Sequence, residues 1–436
     1  MKKTAIILLL ILTLIPFKVN AASNKNSNKN QDILQHINFD DIEEEILKRN
    51  PTVKMNENTL ASLRANLDML EDNAEDAEDV LDGFDNNPDI KRQLEAEIQR
   101  LEQEKAELAT TLVSYPELLP VLESQYNTLI GIYRSNLLNL EASLGSSKNA
   151  LKSQSKMLDE KVEDMEDTID KFIQQSKMTS MQLSWAAENL YITYNTLDMQ
   201  EAELSNNLKL LEKQIEIAKI RESLGLASKV DVLNAEISLR ELQISQKALK
   251  TQKEAIKGEL NLLFGQAFDE DLLIGAVPVL DERELLNIDY DADLSTALNN
   301  NFSLKLQVLE RKSKDTALER AEKDSSLSEE AAEFDYENEE IKLGDLRKQT
   351  ALAFYKIFEE LLSKKQTYAL ENAKYELAET MKEQVELKYR LGMLSDIGRE
   401  TELNNYFSKM IKKYISGYEL TLSYRKYEWM KRGLTL

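Results

Sequence analysis

Apolar residues recur at alternating steps of four and three along two stretches in the middle of the chain. In the first stretch, eight of nine positions in this register are apolar: Leu190, Tyr194, Leu197, Glu201, Leu204, Leu208, Leu211, Ile215 and Ala218. In the second, seven of nine are apolar: Ala235, Leu239, Leu242, Gln246, Leu249, Lys253, Ile256, Leu260 and Leu263. This heptad spacing is typical of helices that wrap around one another. Gly225 suits the end of one helix and Ser228 the start of the next, so the pattern predicts an antiparallel coiled-coil hairpin that turns near Gly225.

The turn and an upstream joint both occur twice. The motif at the turn, Leu224, Gly225, Leu226, Ala227 and Ser228, returns at an offset of 167 as Leu391, Gly392, Met393, Leu394 and Ser395. A second echo, at an offset of 251, relates Asn50, Pro51, Thr52, Val53 and Lys54 to Asn301, Phe302, Ser303, Leu304 and Lys305. Two echoes in the same order indicate a tandem duplication, in which each unit has an entry helix, an Asn joint and a long helical hairpin. We therefore expect an all-α fold, with a first repeat at 39–265, a linker at 266–289 and a second repeat at 290–436.

Composition supports long helices and excludes several functions. The 436 residues include only 12 Gly and 6 Pro, too few for a strand-and-turn protein of this length. There is no Cys and a single His, which excludes disulfides, thiolate metal sites and most His-based catalysis. The formal charge of −23 disfavours nucleic acid as a partner, because phosphate binding needs a basic face. We find no nucleophile motif, phosphate loop or acid–base pair, and we expect neither an enzyme nor a cofactor or metal protein.

The N-terminus predicts export from the cytoplasm. Lys2 and Lys3 precede an apolar run of signal-peptide length, and a small-residue cleavage site ends at Ala21. We assign 1–21 as a signal peptide and the polar segment 22–38 as a flexible leader. An uncleaved membrane anchor is the alternative, although the run is shorter than the roughly 20 residues of a span.

The duplicated motifs carry a family resemblance. The sequence resembles the TolC family of outer-membrane efflux channels, in which tandem repeats assemble as trimers into a hollow helical barrel. The family hairpin typically has Gly-x-x-Ser-x-x-Asp followed by a helix with x-Leu-x-Ala-Glu. The first repeat matches it at Gly225, Ser228, Asp231, Leu233, Ala235 and Glu236. The second repeat keeps Gly392 and Ser395 but has Gly398 at the Asp position, with Asp396 nearby.

The chain also departs from that family. The two offsets differ by 84 residues, which places extra sequence between the Asn joint and the hairpin turn of the first repeat, where family members insert two membrane strands. This region, about 85–170, is rich in strong helix formers and in Glu/Lys neighbours at i,i+4 spacing. The equivalent segment of the second repeat, 325–344, contains a run of Asp and Glu residues that would not face lipid. We therefore expect a helical insertion and no membrane β-barrel.

The resemblance assigns a role to the hairpin turns. In the family, these turns dock tip to tip with the helical hairpin of a periplasmic adaptor (membrane-fusion) protein that serves an inner-membrane pump. The corresponding positions here are Leu224, Gly225, Leu226, Ser228, Leu391, Gly392, Met393 and Ser395. Considered without the resemblance, the same residues are ordinary helix caps. Asp231 and Asp396 either form an acidic mouth or stabilise the first turn of a helix through its dipole.

Two functions therefore remain open from the sequence. The first is a TolC-like efflux conduit in the cell envelope, a homotrimer associated with the outer membrane where one is present, which passes a small molecule or peptide outward. The second is a structural coiled-coil spacer of the cell envelope without transport activity.

Overall fold

Helices account for nearly all of the chain that the computed structural model describes, which comprises residues 33–84, 90–111, 119–139, 144–323 and 327–436. The first half begins with a two-residue strand and a 3-10 helix at Phe39–Asp41. Its strand and helices are β1 (His36–Ile37), α1 (Ile42–Arg49), α2 (Pro51–Phe84), α3 (Ile90–Thr111), α4 (Leu119–Asn139), α5 (Leu144–Ser223) and α6 (Lys229–Leu263). The second half contains β2 (Leu273–Ile274), α7 (Glu282–Leu286), α8 (Tyr290–Asn300), α9 (Phe302–Lys323), α10 (Glu329–Arg390) and α11 (Asp396–Lys431). The predicted all-α fold class is confirmed.

Two long helical hairpins dominate the structure, as the heptad pattern predicts for the first and the repeated turn motif for the second. α5 packs against α6, and α10 packs against α11. All eighteen positions of the two predicted seams are buried or half-buried, and none is exposed. The predicted helical hairpins are therefore confirmed, including the turn at Gly225 between α5 and α6.

The two seams are interrupted by charged residues that pair with each other. Lys253 on α6 places its Nζ 2.8 Å from Glu201 Oε2 and 2.5 Å from Asp198 Oδ1, both on α5. The ammonium also lies 5.3 Å from the centre of the Tyr194 ring. Each charge that breaks the apolar pattern is thus neutralised across the hairpin.

Equivalent contacts recur at the base of each hairpin. In the first half, the Phe39 and Tyr191 rings meet at 5.5 Å between centroids. The residues at the same offsets in the second half, Tyr290 and Phe358, meet at 5.0 Å. The tandem duplication predicted from short motifs is therefore also present in the packing.

The Asn joints hold each entry helix against the end of its hairpin. The Asn50 side chain donates to the Leu263 carbonyl (2.7 Å) and accepts from the Thr52 amide (2.8 Å). In the second half, the Asn300 side chain donates to the Lys431 carbonyl (3.2 Å), and Asn301 accepts from the Leu304 amide (2.9 Å). Asn50 thus both starts the following helix and closes the base, whereas the second half divides these two roles between Asn301 and Asn300.

The region predicted as a helical insertion packs with α2 around its own core. Its apolar residues come from α2, α3, α4 and the first part of α5: Leu63, Leu70, Ala77, Ile98, Leu101, Leu122, Tyr126, Leu129, Ile130, Tyr133, Leu151, Leu158, Met165 and Ile169. Arg100 of α3 joins this core through ion pairs with Glu97 (2.7 Å) and Glu104 (3.2 Å). The insertion is helical throughout its described residues, as its composition predicts.

A buried charge cluster joins the two halves of the chain. Arg425 of α11 donates to Glu188 of α5 (Nε to Oε2, 2.9 Å), and the Trp429 indole donates to the same carboxylate (2.8 Å). Glu188 is almost fully buried, so its charge needs these donors. The cluster fixes α11 beside α5 at the base of the hairpins.

The segments outside the hairpins contain the only strands among the described residues. His36–Ile37 pair in parallel with Leu273–Ile274, so the end of the predicted leader segment 22–38 is part of the folded chain. The His36 side chain is exposed. The predicted signal peptide, 1–21, lies outside the described residues. Among the described helices, none combines the length and apolar composition needed to cross a bilayer.

Candidate functional site

The first tip closes α5 with a Schellman turn. We define this tip as Leu224, Gly225, Leu226, Ala227 and Ser228. The Leu226 amide donates to the Arg221 carbonyl (2.8 Å), and the Gly225 amide donates to the Glu222 carbonyl (2.9 Å). Gly225 has a φ of +71°, a left-handed conformation in which a β-carbon is strained. Glycine therefore ends this helix at the lowest conformational cost.

A capping box starts the return helix of the first tip. The Ser228 hydroxyl accepts from the Asp231 amide (3.1 Å), and the Asp231 carboxylate accepts from the Ser228 amide (3.3 Å). The same carboxylate accepts from the Ser228 hydroxyl (2.7 Å). Reciprocal bonds of this kind satisfy amide groups that an α-helix leaves unpaired at its start. Asp231 is therefore part of the cap as well as an exposed charge at the tip.

The second tip repeats the turn closely. We define it as Leu391, Gly392, Met393, Leu394 and Ser395. The Met393 amide donates to the Lys388 carbonyl (2.9 Å) and the Gly392 amide to the Tyr389 carbonyl (2.9 Å), with φ of +70° at Gly392. The Ser395 hydroxyl accepts from the Gly398 amide (3.2 Å). Because Gly398 has no side chain, the reciprocal half of the capping box is missing here.

A different network stabilises the second tip. The Tyr389 hydroxyl donates to the Asp396 carboxylate across the turn. Arg399 forms a bidentate pair with Glu386 (2.7 and 3.0 Å), and its guanidinium stacks 4.8 Å from the centre of the Tyr389 ring. These contacts bridge α10 and α11 immediately behind the turn. Asp231 and Asp396 thus both lie at tips, but they stabilise them in different ways.

The electrostatics of the second tip follow from those contacts. Hydrogen bonding to Arg399 lowers the pKa of the Glu386 carboxyl below its ordinary value, because the charged form is the one bonded. The hydrogen bond to Asp396 raises the pKa of Tyr389, because its hydroxyl must keep its proton to donate. At neutral pH both groups are in the state that their contacts require.

Both tips expose large apolar side chains around the turn glycine. Leu224 and Leu226 are 67% and 74% exposed, and Leu391 and Met393 are 65% and 72% exposed. A β-carbon built on Gly225 or Gly392 would meet nothing within 4 Å. The helix caps account for the glycines and serines, but they leave the four apolar side chains without a packing role in the single chain.

The two hairpins are joined side by side behind their tips. Asn206 of α5 donates to Asn404 of α11 (2.6 Å), and the Asn404 amide donates to Asn207 (2.7 Å). Nearer the tips, Lys213 pairs with Glu400. Sequence reasoning missed these contacts, because single polar residues on two distant helices give no sign of pairing. No group of three or more potential ligand side chains among the described residues has metal-site geometry.

Comparisons with known proteins identify the fold. No family model matches the chain, and no curated protein matches it. Among solved structures, the chain is similar to the Campylobacter jejuni CmeC outer membrane channel, with a TM-score of 0.51 and 10% identity over 63% of this chain and 68% of that chain. It is also similar to the Vibrio cholerae outer membrane protein VceC, with a TM-score of 0.43 and 12% identity over 63% of this chain and 75% of that chain.

The likeness to CmeC defines the class of fold, a tandem set of helical hairpins as found in an outer membrane channel. The resemblance to the TolC family, expected from the hairpin motifs, is therefore confirmed for the fold.

Proposed function

We propose that this protein is a TolC-like efflux conduit component, which docks an adaptor protein through its two hairpin tips. The observation that carries the proposal is the repetition of one surface at both tips: a left-handed glycine flanked by exposed apolar side chains. A duplicated fold needs the glycine to turn the chain, but it does not need four exposed leucine and methionine side chains beside it. Burying such a side chain contributes about 1.5–3 kcal/mol, so a partner that covers both tips gains substantially.

The tip geometry suits a helical hairpin as the partner. Open space above Gly225 and Gly392 lets another backbone approach closely, and the surrounding leucines supply an apolar contact. The periplasmic adaptor of a tripartite exporter presents such a hairpin, which is the partner that the family resemblance implies. Asp231 and Asp396 lie beside this contact, where they would add an acidic rim to the opening.

Assembly into a homotrimer is supported by apolar residues that the single chain leaves exposed. On α6 they include Val230, Leu233, Ile237 and Ile244, and on α10 they include Leu362, Leu370, Leu377 and Met381. Both sets follow helical spacing, which is typical of a seam that another helix covers. Three copies would bring six hairpins together around a duct. The predicted signal peptide supports a location in the cell envelope, outward of an inner-membrane pump.

Disulfide crosslinking tests the docking, and the absence of native Cys gives a clean background. Leu226→Cys and Met393→Cys replace exposed tip residues outside the turn glycines. Each variant is expressed with the cell's adaptor protein carrying one Cys at its own hairpin tip. We expect a crosslink from both tips and none from Ser245→Cys, an exposed control position on α6 away from the turn.

The outcome separates the two functions left open by the sequence. Crosslinks from both tips, together with a trimeric mass, support the conduit. A monomer that forms no crosslink at either tip contradicts it and favours a structural spacer of the cell envelope.

A further inference from the structure

A groove of about 430 Å³ lies between four helices away from the tips. It is lined by residues of α5, α8, α9 and α10, and its volume falls within the roughly 300–1,000 Å³ typical of small-molecule sites. Five aliphatic side chains form its apolar surface: Leu298, Leu304, Val308, Leu309 and Leu343. The polar lining consists of Gln174, Asn299, Lys305 and Arg347. The groove therefore combines an apolar surface with two cations.

The two cations lack the ion pairs that their neighbours form. On the same helices, Arg311 pairs with Glu340, Lys312 with Asp167 and Lys342 with Glu339. Neither Lys305 nor Arg347 has an acidic residue three or four positions away on its own helix. Within the described part of the chain, neither forms an ion pair with a carboxylate, and Lys305 instead lies 5.3 Å from the centre of the Phe302 ring. Both cations are therefore available to an anionic ligand at the groove.

The duplication provides an internal comparison. The positions equivalent to Lys305, Val308 and Leu309 in the first repeat are Lys54, Glu57 and Asn58. Those equivalent to Leu343 and Arg347 are Ser176 and Ser180. At the positions of Leu298, Asn299 and Leu304 the first repeat has Leu47, Lys48 and Val53. It thus keeps two of the five apolar positions and has two lysines, but it has polar residues in place of Val308, Leu309 and Leu343. The larger apolar surface is therefore a property of the second repeat and not a necessary product of the shared fold.

We propose that this groove binds a single-chain anionic amphiphile, with its carboxylate or sulfate head between Lys305 and Arg347 and its alkyl chain on the leucines. A guanidinium and an ammonium donate charge-assisted hydrogen bonds to such a head group, and the amides of Gln174 and Asn299 can donate further bonds. Burial of the alkyl chain supplies the remaining affinity. The proposal rests on the groove alone and is independent of docking at the tips.

Isothermal titration calorimetry of the full chain with decanoate, kept below its micellar concentration, tests the site. We expect saturable binding of one decanoate per chain, and at least tenfold weaker binding to the Lys305→Gln/Arg347→Gln double variant. Decanol and decyltrimethylammonium, which share the chain but not the negative charge, should bind at least tenfold more weakly than decanoate. Equal binding of all three ligands, or no saturable decanoate binding, would overturn the proposal.

Two further variants keep the test specific. Val308→Glu places the residue of the first repeat into the groove at a side chain that is 43% exposed, so folding should be retained while decanoate binding is lost. Lys54→Gln removes the equivalent lysine outside the groove and should bind decanoate as the wild type does. Unchanged binding in Val308→Glu, or a loss in Lys54→Gln as large as in the double variant, would contradict the assignment.

The source of the amphiphile is distinguished with vesicles. In one outcome, the wild type cosediments with phosphatidylglycerol vesicles while the double variant does not. That result would show that the groove binds a bilayer lipid and would contradict the proposal of a free amphiphile. Decanoate binding without vesicle binding supports a free amphiphile.

Discussion

Lys253 and Glu201 meet across the first hairpin at 2.8 Å, although each of them breaks the apolar pattern of its own helix. The lysine side chain is only 13% exposed. Burial opposes its charged form, but hydrogen bonds to Asp198 and Glu201 outweigh this effect and raise the pKa of Lys253. A polar pair at one level of an otherwise apolar seam fixes which residues face each other, so this contact sets the register of α5 against α6.

Lys253→Met should destabilise the hairpin by about 1–3 kcal/mol, because Glu201 loses a charged donor within a half-buried seam. Glu201→Gln should lower the free energy of unfolding by less, since Lys253 keeps its ion pair with Asp198. Chemical denaturation of both single variants and of the double variant gives the coupling free energy. We expect a clear favourable coupling; additive effects would show that the pair does not act as a unit.

The contribution of this pair should also depend on pH at the alkaline end. The pKa of Lys253 is raised in the folded chain, so the stabilisation is complete below the ordinary lysine value of 10.5 and is lost as pH rises through the folded value. The stability difference between wild type and Lys253→Met should therefore stay constant from pH 7 to about 9 and shrink above the lysine range. A difference that shrinks already near pH 8 would contradict this assignment.

Replacing the turn glycines isolates the cost of a left-handed backbone. Gly225→Ala and Gly392→Ala should each destabilise the chain by about 1–2 kcal/mol, because the new β-carbon meets no neighbour and only the positive φ is unfavourable. Gly344→Ala is the matched control, since Gly344 also has open space around it but lies inside α10. That variant should be more stable by about 0.5–1 kcal/mol. Denaturant midpoints that move in the same direction for all three would show that backbone conformation is not the cause.

The two serine caps should differ in their contribution. Ser228→Ala removes the hydroxyl of a capping box at α6 and should cost about 1–2 kcal/mol, whereas Ser395→Ala removes a single bond at α11 and should cost about 0.5–1 kcal/mol. Hydrogen exchange of the first turn of each helix measures the local effect. A larger loss of protection in α11 than in α6 would reverse this order.

Acid should loosen the second tip. Because Arg399 lowers the pKa of Glu386, that pair stabilises the folded tip above the ordinary carboxyl value of 4.5 and ceases to do so as pH falls through the folded value. Hydrogen-exchange protection at the end of α10, corrected for intrinsic rates, should fall between pH 5 and about 3. In Glu386→Gln, hydrogen-exchange protection at the end of α10 should already be reduced at pH 5 to the level that the wild type reaches at low pH. If protection in this variant still falls with pH as in the wild type, the pair with Arg399 is not the cause.

Local sequence patterns predicted the features of the fold that depend on residues close together in the chain. The seam of α5 and α6, the glycine at each turn and the serine after it all follow from spacing and capping chemistry, which act over a few residues. The joints at Asn50 and Asn301 were accessible because the duplication repeats them. Contacts such as Asn206 with Asn404, or Arg425 with Glu188, join helices about 200 residues apart, and periodicity carries no information on which helices meet. The groove beside Arg347 was missed for the same reason, since its lining comes from four separate helices.

The closed base of each hairpin has a mechanical consequence. A β-carbon on Gly265 would lie 2.8 Å from the Arg49 carbonyl oxygen, and one on Gly433 would meet the carbonyl of Asn300, so the entry helices press against the hairpin ends without free space. A change in the angle of a hairpin at this contact would be amplified at its tip. α6 has 35 residues and is about 52 Å long, so a tilt of about 5° at the base displaces its tip by about 4.5 Å. A side chain introduced at Gly265 or Gly433 should therefore displace the hairpin tip further than the hairpin base.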